Sequence, residues 1–292
     1  MVTSASIDRI VTAALEEDAP WGDITSATLI PAAATATARL VAREAGVFSG
    51  ASVFEAAFRL TDARIAVSLL VQDGEPFAAG AVLAEVSGPA RGILQAERIG
   101  LNFVQRMTGI ATSTARYVAE TVGTRASIVD TRKTTPGLRV LERQAVRDGG
   151  GRNHRHSLSD AVMAKDNHLA VLTAGGLSVT DALLAVRAQL SHTTHLEVEV
   201  DRIDQIEAVL AADVDTIMLD NFTPEQLREG VAIIGGRAIV EASGGVNLAT
   251  VRAIAESGVD IISVGALTHS VRSLDLGLDV DIEAAASPAI TP

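Results

Sequence analysis

From residue 124 onward, short β-rich runs alternate with helical patterns, and that alternation confines this part of the chain to a parallel α/β architecture. The β-rich runs fall at 126–129, 162–164, 196–200, 216–219, 238–241 and 261–264. Between them apolar residues recur at helical spacing, over 138–147, 179–190, 203–211, 224–234 and 248–257. Either a (β/α) barrel or a doubly wound sheet satisfies this order. The polar residues decide between them. Asp130-Thr131-Arg132-Lys133 follows the first run, Lys165-Asp166-Asn167-His168 the second, and Asp220-Asn221 the fourth. Glu241-Ala242-Ser243-Gly244-Gly245 and Gly265 end the last two, while period-two alternation puts Glu197 and Glu199 on one face of the third. Functional groups drawn from the ends of many strands favour a barrel with its site on the C-terminal face. A doubly wound sheet binds at one switch point and draws on fewer strands.

The first hundred residues read differently. Helical spacing over 4–17 puts Ile7, Ile10, Val11, Ala14 and Leu15 on one face, with Ser4 or Ser6 as the N-cap. Residues 17–26 read as an ordered loop. Strands are expected at 37–42, 65–71 and 82–86, with a helix near 52–60. The stretch 91–122 is helical and is expected to break near Gly109. Few chemistry-bearing groups lie in this half, which marks it as a small α+β module. Arg98 reads equally well as a surface cation paired one turn away.

Charge narrows the function. The net charge is −12, which argues against nucleic acid and against an anionic membrane surface. The segment 130–168 opposes that trend with eight Arg and Lys against five acids, and it holds the only two lysines of the chain, Lys133 and Lys165. Elsewhere arginine serves wherever a cation is wanted, so these two positions call for a compact ammonium. A basic pocket inside an acidic envelope points to a small anionic ligand. Arg132, Arg139, Arg152 and Arg155 offer forks for carboxylate or phosphate, although the spacing of Arg139, Arg143 and Arg147 also fits a solvated helix face. Ser243-Gly244-Gly245 before a helix, and Gly265 with Thr268 and Ser270, are built to let backbone amides approach a phosphate. Gly149-Gly150-Gly151 lacks the Lys-Ser/Thr of a P-loop and reads as the end of the preceding helix. Glu199 and Asp220 are the candidates for a divalent metal. His154 and His156 lack a third nearby ligand in the sequence. With no cysteine, neither disulfides nor zinc-thiolate sites enter. Neither a signal-peptide pattern nor a run of about 18 apolar residues is present, so a soluble, cytoplasmic protein is expected.

Several motifs together resemble the quinolinate phosphoribosyltransferase family, the carboxylating nicotinate-nucleotide pyrophosphorylases. They are Gly22-Asp23-Ile24-Thr25-Ser26, Glu97-Arg98, Leu101-Asn102, Asp130-Thr131-Arg132-Lys133-Thr134 and Pro136-Gly137-Leu138-Arg139. Gly149-Gly150-Gly151-Arg152-Asn153-His154-Arg155, Lys165 to His168, Glu197-Val198-Glu199, Met218 to Asn221, Glu241 to Gly245 and Gly265 to Ser270 continue it in order. The resemblance implies an incomplete TIM-like (β/α) barrel over 109–270 and an N-terminal α+β sandwich over 1–108, with 271–292 packing back on the sandwich. It implies transfer of a phosphoribosyl group from 5-phosphoribosyl 1-diphosphate to quinolinate, with Mg²⁺ as cofactor and loss of CO₂, giving nicotinate mononucleotide for NAD biosynthesis. It also implies a homodimer in which Arg98 crosses to the neighbouring subunit. By the same resemblance Arg98, Thr131, Arg132, His154, Arg155, Lys165 and His168 bind substrate, and Lys133 is shared between quinolinate and diphosphate. Glu199 and Asp220 serve ribose and metal, with Lys133, Glu199 and Asp220 as the catalytic set. Ser243, Gly244, Gly245 and Gly265 take the 5-phosphate. A related protein of molybdate-transport operons, a Schiff-base lyase using a strand-end lysine and a non-enzymatic anion-binding barrel are the competing readings. Turnover of quinolinate separates all three from the first.

Overall fold

The computed structural model describes residues 2–283 of the chain, and these form two compact units. The first comprises residues up to 113, 135–150 and the segment from 271 onward; the second comprises 114–134 and 151–270. The units therefore do not divide at a single point near 108. The helix Arg139–Asp148, expected with the barrel, counts with the first unit, and the described part of 271–292 does so as well. Residues 284–292 lie outside the described residues.

In the first unit an antiparallel sheet runs in the order Leu276–Glu283, Thr35–Ala42, Val82–Pro89, Ala66–Leu69. The Thr35–Ala42 strand alternates strictly: Ala36, Ala38, Leu40 and Ala42 are buried while the residues between them face outward. One covered face of an antiparallel sheet gives this pattern. The buried side meets Phe48, Phe54, Phe58, Leu83 and Ile93 in one apolar cluster. Phe54 and Phe58 meet edge to face with ring centres 4.9 Å apart, the arrangement aromatic quadrupoles favour. The last strand, Leu276–Glu283, pairs along the whole of Thr35–Ala42, from Ala42 with Leu276 to Thr35 with Glu283.

Three local expectations need correction here. The first helix, Ser4–Asp18, is capped by Thr3, whose Oγ1 accepts the Ser6 N–H, rather than by Ser4 or Ser6. The expected loop ends in a short helix, Ile24–Leu29, because Asp23 Oδ1 accepts the N–H groups of Thr25 and Ser26. The long helix Ala90–Glu120 passes Gly109 unbroken. Gly109 is there for room: a Cβ would lie 2.3 Å from the Arg272 carbonyl oxygen. Gln105 and Arg106, on the same helix, also have structural tasks. Gln105 donates to the Leu276 carbonyl at 2.7 Å, and Arg106 pairs with the buried Glu142 at 2.5 Å. A separate acid, Asp148, accepts from Ser49 Oγ at 2.6 Å and from Gln144 Nε2 at 2.5 Å. Burial, with the nearby charge of Asp73, pushes its carboxyl up to about 6 despite those two donors.

The second unit is built on a six-stranded sheet in the order Ser127–Val129, Ile261–Ser263, Ile239–Ser243, Thr216–Asp220, Leu196–Val200, Val162–Ala164. Every neighbouring pair is parallel, as strand–helix alternation requires. The expected strands are all present, within two residues of their expected ends. The sheet has two edges, Ser127–Val129 and Val162–Ala164. Arg152 adds one parallel bridge beside Val129, giving and receiving backbone hydrogen bonds there. The barrel-like sheet is thus open. Three helical expectations shrink. The stretch 179–190 is helical only over Val179–Arg187. The stretch 203–211 divides into a 3₁₀ turn, Ile203–Gln205, and a short helix, Ile206–Leu210. The helix expected from 248 covers only Val251–Ala255, because Asn247, Ala249 and Thr250 form a hydrogen-bonded turn ahead of it. A helix absent from the sequence reading, Asp166–Thr173, begins directly after Lys165.

Candidate active site

Parallel strands that start together end together, so their C-terminal tips bring Lys133, Lys165, Glu199, Asp220 and Ser243 around one cavity of about 610 Å³. Thr131, Arg132, His154, Arg155, Gly244 and Gly245 line it too, with Met163, Met218, Asn221, Glu241 and Ser263. That volume suits a small-molecule ligand. Three expected site residues are not among the lining. Arg98 belongs to the first unit. His168 lies one helical turn behind Lys165, where its Nδ1 accepts the Lys165 backbone N–H at 3.0 Å and so holds the lysine in place. Gly265 makes room for a neighbour: a Cβ there would sit 3.1 Å from Lys133 Cδ.

The loop that carries Lys133 is held from several sides. Its backbone N–H donates to Thr131 Oγ1 at 3.1 Å, and its carbonyl receives Thr268 Oγ1 at 2.7 Å. Asp130, fully buried, accepts the His154 N–H at 2.7 Å and Asn153 Nδ2 at 2.8 Å, tying this strand tip to the segment 153–155. On the far edge Lys165 Nζ pairs with Glu199 Oε2, so a ligand carboxylate arriving at Lys165 competes with an acid already there. Asp220 accepts Asn221 Nδ2 at 2.7 Å. Gly244 is obligatory on two counts. Its φ is +89°, in the left-handed region, and a Cβ would lie 2.2 Å from Asn221 Oδ1. The glycine turn therefore exposes backbone at the tips of two adjacent strands. Helix dipole contributes less than the sequence implied, since the following helix starts only at Val251.

Beneath this rim lies a second group, in which the sequence had given a task to His154 alone. His154 Nε2 is 3.3 Å from Glu197 Oε2 and 3.3 Å from Glu241 Oε2, with both carboxylates buried. Burial disfavours a charged ring, but the hydrogen bonds and charges of the two acids outweigh it and push His154 up to about 10. Burial also raises Glu197. The Arg155 backbone N–H is aimed at His154 Nδ1 at 2.7 Å, so that nitrogen carries no proton and Nε2 is the ring's N–H. The second proton of the group is consequently shared between His154 Nε2 and Glu197, the carboxyl that burial raises. The three side chains are near enough to hold a metal ion, their ligand atoms lying within 4.8 Å of one another. A protonated Nε2 is a donor, however, and has no lone pair to give a metal. His156 is not part of the group. The signal for Glu197 was present, two residues before Glu199 on the same face; for Glu241 it was its place one strand-row below Ser243.

Cations from two strand tips, acids from two more and a glycine turn, all over an open parallel sheet, define an α/β enzyme site for a small, multiply charged anion. Models of the quinolinate phosphoribosyl transferase N-terminal and C-terminal domains match residues 23–108 and 110–279. The chain is 45% identical over 275 residues to the nicotinate-nucleotide pyrophosphorylase [carboxylating] of Mycobacterium leprae, covering 91% of this chain and 94% of that protein. It is 41% identical over 266 residues to the probable nicotinate-nucleotide pyrophosphorylase [carboxylating] of Bacillus subtilis, covering 91% and 90%. A crystal structure of NadC from Streptococcus pyogenes superposes with a TM-score of 0.92 at 39% identity, covering 98% of this chain and 99% of that one. The chain belongs to the quinolinate phosphoribosyl transferase family.

Proposed function

We propose that this chain joins quinolinate to 5-phosphoribosyl 1-diphosphate and releases diphosphate and CO₂, forming nicotinate mononucleotide in NAD biosynthesis. The observation that carries this reading is the charge pattern of the cavity at the strand tips of the second unit. Arg132, Lys133, Arg155 and Lys165 line it together with Glu199, Asp220 and the Ser243-Gly244-Gly245 turn. Quinolinate brings two adjacent carboxylates, and the second substrate brings a phosphate and a diphosphate. Two cation-bearing strand tips answer the first need. The glycine turn answers the 5-phosphate, together with Gly265.

In this reading Arg132, His154, Arg155 and Lys165 receive quinolinate, with Thr131 and His168 supporting them. Arg98 joins them from a neighbouring copy in a homodimer. Lys133 lies between the quinolinate carboxylates and the departing diphosphate. The pyridine nitrogen attacks C1 of the ribose as the C1–O bond to diphosphate breaks, and Glu199 and Asp220 stabilise the positive charge that develops on the sugar. The product pyridinium accepts the electron pair left when the 2-carboxylate departs as CO₂. C2 then takes a proton, for which Lys133 or a water is the donor. The hard oxygen donors of Glu199 and Asp220, which line the cavity from adjacent strands, fit Mg²⁺. When bound, that ion supplies charge neutralisation to the diphosphate. No helix among the described residues is long and apolar enough to cross a membrane.

The test is product formation from quinolinate and phosphoribosyl diphosphate, with free nicotinate as control. Nicotinate mononucleotide arising from quinolinate alone is the expected result; turnover of nicotinate instead, or binding without diphosphate release, overturns the assignment. The shared site has its own test. Arg98→Ala and Lys133→Ala should each be inactive as homodimers, and mixing them should restore part of the activity. No recovery removes Arg98 from the neighbour's site.

A further inference from the structure

We propose that Glu197 and Glu241 are positioning residues for the reaction: together they grip His154 by Nε2, so that His154 and Arg155 stand oriented in the pocket before substrate arrives. The proposal rests on the quinolinate reading above and gives a task to two acids which that reading leaves idle.

Stability alone does not account for them. Both side chains are buried, and the Oε1 atom of each has no hydrogen-bond partner. A buried carboxylate oxygen left bare is costly, and well-packed apolar residues in place of buried ionic groups are commonly neutral or stabilising. The two come from different strands. Glu241 lies level with Met218, and Glu197 level with Thr216, on either side of the Thr216–Asp220 strand. Side chains from two flanking strands thus converge on a single ring nitrogen, each at 3.3 Å.

The other end of the imidazole explains what the grip achieves. Nδ1 accepts the Arg155 N–H at 2.7 Å, and Asp130 Oδ1 accepts the His154 N–H at 2.7 Å. The segment is therefore pinned at two consecutive backbone N–H groups, one directly by an acid and one through the ring. Arg155 then projects with Nη1 donating to the Ala161 carbonyl at 2.9 Å and its side chain on the cavity wall. If the ring were released, the Arg155 N–H would lose its acceptor and the guanidinium would lose its fixed origin. A ligand would then have to order the segment itself, at the expense of affinity.

Charge alone predicts the opposite sign. Two acids under a pocket for a dianion repel it, so neutralising either would tighten binding. The grip predicts that neutralising either weakens it. Glu197→Gln and Glu241→Gln should each raise the KM for quinolinate about tenfold, the scale on which supporting partners act. The KM for phosphoribosyl diphosphate should stay within about twofold and kcat should fall less than the quinolinate KM rises. Because the acids act through the ring, Glu241→Gln should add no further rise in a His154→Ala background. An unchanged or lowered quinolinate KM, or a full effect that persists without His154, overturns the proposal. Nitrogen NMR of His154 in the ligand-free full chain reads the grip without any turnover. A protonated Nε2 with a bare Nδ1 is expected, lost in Glu241→Gln; a bare Nε2, or two protonated nitrogens, overturns it. A wild-type chain that forms no product from quinolinate would sink the functional reading while the NMR result still decides the grip. The wild-type spectrum does so even if a glutamine variant fails to fold.

Discussion

Glu197 and Glu199 are two residues apart on one strand and face the same way, yet they sit in different chemical worlds. Glu199 is at the rim, paired with a half-exposed lysine that a ligand can take from it. Glu197 is on the floor beside Glu241, locked to one imidazole and shut off from water. The difference is desolvation. A rim acid keeps water as an alternative partner and so can exchange partners during a reaction. A floor acid has no alternative and must keep the one it has. One strand thus offers a changeable acid and a fixed one at adjacent inward positions.

The largest effects should follow from stripping the rim. Lys133→Ala is expected to lower turnover by about three orders of magnitude or more, and Glu199→Ala by about two, the range typical for groups that act on transition-state charge. Melting temperatures should remain near wild type in both, since exposed and rim pairs contribute little to stability. A rim variant that unfolds, or that keeps normal turnover, would erase the distinction drawn here.

Stripping the floor should instead register in stability. His154→Ala leaves two buried carboxylates facing each other, with an expected loss of about 3 kcal/mol at neutral pH. The wild type should show a matching pH signature. The shared proton is bound more tightly in the folded chain than an ordinary histidine proton, so its stabilisation is complete below pH 6.5 and disappears as the pH rises through about 10. Denaturant titrations across pH 6–10 should show this decline in wild type and not in His154→Ala. Equal slopes in the two proteins would remove the cluster as its origin.

The smallest effect calibrates the same rule away from the site. Asp148 is held up at about 6 by burial, so ionising it costs the folded state more than the unfolded one. Its favourable share is complete below pH 3.8 and is lost as the pH rises through about 6. Asp148→Asn should therefore raise stability at pH 7–8 by about 1 kcal/mol after allowance for solvent screening, or about 2–4 °C. A fall in melting temperature would mean that the hydrogen bonds from Ser49 and Gln144 outweigh desolvation there.

Much of this was legible in the sequence because strands and polar residues obey local rules. Six short runs became six strands, and most of the chemistry-bearing residues after them line the cavity. The failures share a cause: each depended on what another part of the chain brings near. Gly109 looked like a helix break because nothing local says that the Arg272 carbonyl comes so close. Gly265 looked like phosphate chemistry alone, although it also clears space for the Lys133 stem. His154 read as a ligand for substrate. That two glutamates from separate strands would engage it from below is a fact of register, which spacing along the chain does not encode. His168 was misplaced for the opposite reason. It serves a backbone N–H only three residues away, in a helix whose start the sequence reading missed.

The order of the open sheet also sets a schedule for the newborn chain. The strand before Lys133, Ser127–Val129, has as its neighbour Ile261–Ser263, which leaves the ribosome long after it. Thr268, which anchors the Lys133 carbonyl, emerges later still. The N-terminal sheet waits likewise for Leu276–Glu283 before Thr35–Ala42 has both its partners. Such distant pairings make folding slow and leave strand edges bare in the meantime. Until Thr268 is translated, Lys133 has no seat, so the nascent protein carries both lysines of its site long before it can use them.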